Sequence, residues 1–99
     1  MECVDELIHD FAGEVADADG HLYTARAMGR QRKGQTVWEG WFEFRPVGGR
    51  GIVRRSPVET TQPNREALAY WASGIEPVYL DGALERAITS RLDRRARSK

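Results

Sequence analysis

The chain reads as an α+β domain. An antiparallel β-meander of about four strands plus a short fifth is packed by a central helix, and a C-terminal helix follows. Three observations point there. The turn signals Asp19-Gly20, Lys33-Gly34 and Gly48-Gly49 divide the first sixty residues into strand-length pieces. The pieces around Lys33-Gly34 alternate apolar with polar residues, the period of a half-buried strand. Beyond Pro63 the apolar spacing changes to three and four, the period of a helix.

The N-terminal stretch carries two patterns. Val4, Leu7, Ile8 and Phe11 follow helical spacing, so residues 3–10 are expected as a short helix or a frayed end, with a strand over 11–17. A three-residue loop Ala18-Asp19-Gly20 then buries Val15 opposite Tyr23 and Phe11 opposite Ala27. A two-residue turn would instead bury Glu14 and Ala16, and is less favourable.

The next hairpin is expected to turn on Lys33-Gly34. That register sets Tyr23 against Phe44, Ala25 against Phe42, Ala27 against Gly40 and Gly29 against Trp38, all on one face. Small residues beside large rings leave room for a helix. The other face sets Thr24 against Glu43, Arg26 against Trp41 and Met28 against Glu39. A fourth strand covers about 51–60. Arg54-Arg55 breaks its alternation, and Pro57 marks an edge or a bulge.

Pro63-Asn64-Arg65-Glu66 opens the central helix, with Thr61 or Asn64 as its cap. Leu68, Trp71, Ala72 and Ile75 form its buried stripe, and Gly74 is expected as a left-handed stop. Val78-Tyr79-Leu80 is read as the short fifth strand. Asp81 is expected to cap the last helix, with stripe Leu84, Ile88 and Leu92. Its Arg-rich end suits the helix dipole.

Ninety-nine residues suit one domain, 1–99, with frayed ends at 1–10 and 94–99. Net charge is zero, which argues against a strong bulk nucleic-acid binder. Its distribution is uneven: acids crowd residues 1–19 and arginines crowd the tail. No apolar run is long enough to span a membrane, no basic leader precedes one, and a single Cys suits a reducing compartment. A cytoplasmic protein without membrane contact is therefore expected.

Four strings stand in order: Trp38-Glu39-Gly40-Trp41, Glu59 to Arg65, Tyr70-Trp71-Ala72, and Glu76 to Leu80. They resemble a family of small uncharacterised bacterial proteins over about residues 20–87. The resemblance implies a bacterial, cytoplasmic, single-domain protein and carries no activity.

Chemistry-bearing residues are few. Cys3, His9 and His21 are too scattered for a zinc site. Gly48-Gly49-Arg50-Gly51 lacks the ending of a phosphate loop. No catalytic pair, metal site or cofactor motif emerges. Glu39 and Glu43 flank Trp41 with Arg26 opposite, which reads as a cross-strand charge cluster with an Arg–Trp stack. Thr60, Asn64 and Arg65 gather where a helix start offers N–H groups to an anion. Trp38 and Trp71 are expected in the core. Trp41 is expected on the polar face, bare or covered by a terminal helix, with Tyr70 beside it as a contact residue.

The favoured expectation is a non-enzymatic protein-interaction module whose partner is another protein or a second copy. The acidic and basic end stripes either pack on each other or meet that partner. Nucleic-acid binding through Arg30, Arg32, Lys33, Arg54 and Arg55, and small-ligand or anion binding at Thr60–Arg65, are the alternatives.

Overall fold

The computed structural model describes residues 4–49 and 51–97, with side chains up to Thr89. The expectations for Cys3 and for the side chain of Leu92 fall outside that range. The α+β architecture holds. Six strands form one open antiparallel sheet: β1 (Glu6–Asp10), β2 (Val15–Ala16), β3 (Leu22–Gln31), β4 (Trp38–Pro46), β5 (Arg54–Arg55) and β6 (Thr60–Gln62). Two helices follow, α1 (Arg65–Ser73) and α2 (Pro77–Arg97). β3 and β4 are the long central pair. β1 and β2 share the outer side of β3, and β5 and β6 share the outer side of β4.

The central register differs from the expected one by two residues. Ala25 pairs with Phe44, Ala27 with Phe42, Gly29 with Gly40, and Gln31 with Trp38. The cause is the loop. Arg32 N–H donates to Val37 O at 2.8 Å, so four residues, Lys33–Thr36, make the connection, with Gly34 at φ 75°. Side chains alternate with period two, so a two-residue slip keeps every residue on its face. Tyr23, Ala25, Ala27, Phe42 and Phe44 are all buried.

The first hairpin has its expected three-residue loop: Val15 pairs with Tyr23, and Gly20 takes φ 86°. The expected helix over 3–10 is corrected. Glu6–Asp10 is a strand, bonded to β3 with an irregularity between Leu7 and His9. That irregularity lets Ile8 reach the core, and Phe11 N–H bonds Ala25 O at 3.1 Å rather than standing opposite Ala27. Helical spacing over eight residues was outweighed by a free edge of β3 whose N–H and C=O groups needed partners.

On the other side Pro57 interrupts the strand, as its missing N–H requires. Ser56 N–H still bonds Phe42 O and Glu59 N–H bonds Gly40 O, both within 2.9 Å, so the chain bulges over Pro57 and Val58. The Phe42 N–H left over is taken by Ser56 Oγ at 2.9 Å, which itself donates to Pro57 O. A buried serine thereby supplies the acceptor the bulge removed.

Asn64 is the α1 cap: its Oδ1 accepts from Ala67 N–H at 2.8 Å. Gly74 is not left-handed. At φ −96° it tightens the last turn, and its N–H bonds Trp71 O while Ile75 N–H bonds Ala72 O. The expected fifth strand at 78–80 is also corrected. Pro77 begins α2, where a missing N–H costs nothing. Leu80, Ala83, Leu84 and Ala87 then form the buried stripe at helical spacing. Asp81 lies inside this helix, exposed, and caps nothing.

Both helices pack on the Ala25/Phe42/Phe44 face, α1 toward β1 and β6, α2 toward β2 and β5. Among the described residues, β1 is thus met by α1 rather than by the C-terminal helix, although Ile8, Phe11, Leu84 and Ile88 share one core cluster. Trp71 stacks on Phe42 at 5.5 Å, half-buried as Trp38 is, so neither is a fully enclosed core residue.

Candidate functional site

Trp41 was expected on the polar sheet face, bare or covered by a terminal helix. It lies on that face, 1 % exposed, but its cover is side chains of the sheet itself. The two-residue register difference sets Met28 opposite it, and arginines from two neighbouring strands lie over its ring. The Arg55 guanidinium carbon sits 4.1 Å from the ring centre and that of Arg30 5.3 Å. Arg26 faces Glu43 and reaches Asp10 at 3.3 Å. Glu39 accepts from Arg32 at 2.8 Å and lies 3.9 Å from Arg30, and Glu43 accepts from Arg45 at 3.1 Å. Both glutamates are thus committed to arginines rather than poised as acid and base. Arg30 and Arg32, two of the residues considered for nucleic acid, are paired with Asp5 and Glu39 in the same way. Arg54 lies on the opposite face from Arg30 and Arg55, because it pairs with Phe44.

The helix start at Thr60–Arg65 is also closed upon itself. Asn64 caps α1, and Thr60 Oγ1 accepts from Gln62 at 2.8 Å. Arg65 donates to Glu6 at 3.0 Å and to Leu7 O at 3.4 Å. Tyr70 stands apart from these groups, 83 % exposed on α1.

A cleft at the turn end of the sheet brings together groups that sequence reasoning left apart. Its volume is about 380 Å³, between the β2–β3 loop, the β4–β5 connection and α2. Asp17, Asp19, His21, Tyr23 and Arg54 supply polar atoms, and Leu22, Val47, Ile52 and Ile88 supply an apolar collar. The collar is well exposed: Leu22, Val47 and Ile52 each keep 44–45 % of their surface.

Asp17 organises one wall. Oδ1 accepts the N–H groups of Asp19 and His21, both at 2.9 Å. Oδ2 accepts the Tyr23 hydroxyl and meets His21 Nδ1, both at 3.2 Å. Burial pushes the Asp17 carboxyl up, but these bonds outweigh it and hold it below the ordinary carboxylate value. Asp17, Asp19 and His21 bring ligand-type atoms within 4.8 Å of one another. Both Asp17 oxygens already serve the turn, so the cluster reads as turn chemistry.

Arg54 forms the other wall. It lies on the helix side of the sheet, half-buried, and its Nε is fully enclosed with no hydrogen-bond partner among the described residues. A buried charged donor left unpaired is costly and calls for an explanation. From sequence, Arg54 broke an alternation and stood among five basic residues considered for nucleic acid. Its facing appears once the bulge at Pro57 fixes the register, a feature no local pattern encodes.

A second network, also unforeseen, ties α2 to the bulged edge. The Glu59 side chain is 6 % exposed and accepts Tyr79 Oη at 2.9 Å, Arg86 Nε at 3.0 Å and Arg86 Nη2 at 2.8 Å. Burial, and then Glu59, push the Tyr79 hydroxyl up. All polar ends of this cluster are matched, so it holds structure together. No described helix is long and apolar enough to cross a membrane. Comparison with family models, with curated proteins and with solved structures finds no match.

Proposed function

We propose that this domain is a non-enzymatic binding module whose ligand site is the cleft at the turn end of the sheet. The observation that carries it is the cleft itself: about 380 Å³ of concave space in which an exposed apolar collar stands beside Asp17, Asp19, His21, Tyr23 and Arg54. Concave sites of ~300–1,000 Å³ with an apolar lining and a few convergent polar groups are the usual form of a small-ligand site. The polar lining holds an Asp–His pair, but the described lining residues include no Ser, Thr, Cys or Lys for that pair to activate. Binding is therefore favoured over catalysis. A protein partner, the sequence-based expectation, loses its anchor because Trp41 is enclosed by Arg30 and Arg55.

The test is amide chemical-shift mapping of the full chain against a panel of small acids, amines and neutral compounds. Saturable shifts at Leu22, Val47, Gly51, Ile52 and Arg54 are expected. Silence at those positions across the whole panel, or shifts confined to the Trp41 face, would end the proposal.

A further inference from the structure

We infer that α2 pairs with α2 of a second copy, running antiparallel, so that the acidic first half of each helix lies along the basic second half of the other. The helix divides its charges along its length. Its first half holds the exposed acids Asp81 and Glu85, and the one base there, Arg86, is committed to Glu59. After Thr89 the sequence carries Arg91, Arg94, Arg95 and Arg97 against one acid, Asp93. A helix divided in this way complements a copy of itself only when that copy runs the opposite way, which is the arrangement a two-fold axis produces.

The structure gives the second helix a place to lie. A groove of about 300 Å³ runs between the acidic half of α2 and the β2–β3 loop. Ala16, Ala18, Leu84 and Ile88 give it an apolar floor, and its charged rim is Asp17, Asp81 and Glu85. It shares only Asp17 and Ile88 with the turn-end cleft, so the surface is a separate one. Val78, Asp81 and Glu85 stand at i, i+3 and i+7, one face of the helix, and all three are exposed. Val78 keeps 72 % of its surface in water. Asp81 and Glu85 are like charges four residues apart, which weakens a helix locally and which a cation alongside reverses.

The tail of the same chain does not supply that cation. α2 is one continuous helix from Pro77 to Arg97, so Arg95 stands about 20 Å further along the axis than Asp81. A second copy turned end for end brings the segment back. With Ile88 near the two-fold axis, Arg95 of each chain comes level with Asp81 of the other, and Arg91 with Glu85.

Sedimentation equilibrium of the full chain at low salt, at concentrations up to about 1 mM, tests this. A reversible monomer–dimer equilibrium is expected, and it should weaken roughly tenfold or more when salt is raised to about 1 M, where surface charges are screened. D81K/E85K and R91E/R94E/R95E should each weaken self-association at least roughly tenfold, because each sets like charges against like across the pair. An equimolar mixture of the two variants should restore a dimer, now of unlike chains. K33E, in the β3–β4 loop, should leave the equilibrium as it is. Circular dichroism follows the helix content of each variant, and if one unfolds, the other variant and the salt series on the unaltered protein decide. A strict monomer at about 1 mM would overturn the inference. So would a dimer insensitive to both reversals or strengthened by salt, or a mixture of folded variants that stays monomeric.

Discussion

Two glycines decide where α1 sits. Gly29 and Gly40 face each other across β3 and β4, and Leu68 descends into the gap that two Cβ atoms would fill. A Cβ at Gly29 would fall 2.5 Å from Leu68 Cδ2 and 2.9 Å from Ile8 Cγ1. One at Gly40 would fall 2.6 Å from Leu68 Cδ1 and 3.2 Å from Thr60 Cγ2. Leu68 has no exposed surface, so its methyls have nowhere to swing. Alanine should therefore destabilise at either position by about 1–3 kcal/mol, although glycine is by itself a poor strand residue. Urea unfolding of Gly40→Ala, Leu68→Ala and the double variant checks this. The double variant should cost less than the sum of the singles, and strict additivity would place the clash elsewhere. Asp17 gives a second test at this scale. Its folded-state pKa is depressed, so its contribution is present above the ordinary carboxylate pKa and is lost as pH falls through the folded value. Asp17→Asn should lower the thermal midpoint at neutral pH, and the gap to the unaltered protein should close in strong acid. A gap that persists unchanged below about pH 2 would contradict that account.

Among the elements, the β5–β6 edge and α2 are held by one acid. Glu59 sits just past the bulge and takes three hydrogen bonds from α2, two of them from the fork of Arg86. Removing the acceptor strands the Tyr79 hydroxyl and the guanidinium together, whereas removing the hydroxyl leaves the fork intact. Tyr79→Phe should cost about 0.5–1.5 kcal/mol and Glu59→Ala about 1–3 kcal/mol by denaturant unfolding, in that order. A larger loss for Tyr79→Phe would show that the ring packing, not the acid, is the tie. Nothing in the sequence announced this link, because it joins residues 59 and 86 through a bulge whose register the sequence left open and a helix start that local patterns misassigned. The faces of β3 and β4 were legible for the opposite reason. Alternation has a period of two, and the loop error was two residues, so Ala25, Ala27, Phe42 and Phe44 stayed inward. At the termini of elements the local signals were ambiguous. Val4, Leu7, Ile8 and Phe11 fit a helix in isolation, and the free edge of β3 drew them into a strand. Val78-Tyr79-Leu80 looked like a strand beside Pro77, yet Leu80 also begins a stripe with Ala83, Leu84 and Ala87, a longer pattern that should have prevailed. The cover over Trp41 was half hidden. Arg30 lies four residues from the expected neighbour Arg26 on the same strand face, but Arg55 arrives from a strand whose register only the folded chain defines.

At the scale of the whole molecule the helices take one face and ion pairs clothe the other. The edges are broken rather than bare. β1 carries an irregularity and β5–β6 a proline bulge, which leaves no long row of free N–H groups for another chain to extend. Stability should therefore be graded from the centre outward. β3 and β4 are paired along both sides, and their inward residues carry most of the sheet's buried surface. The outer strands run two to five residues and are interrupted between β1 and β2 and between β5 and β6, so each should open without disturbing the central pair. Native-state hydrogen exchange should find the slowest amides in Ala25–Gly29 and Gly40–Phe44, exchanging through global unfolding, with β5–β6 amides opening at lower free energy. The Glu59 tie refines this expectation. Glu59→Ala should speed exchange at Ser56 to Gln62 and through the first turns of α2 while leaving Ala25–Gly29 slow relative to global stability. If the variant instead quickened the central strands and the β5–β6 edge by the same factor, the edge and the hairpin would form one cooperative unit, and the graded architecture would be wrong.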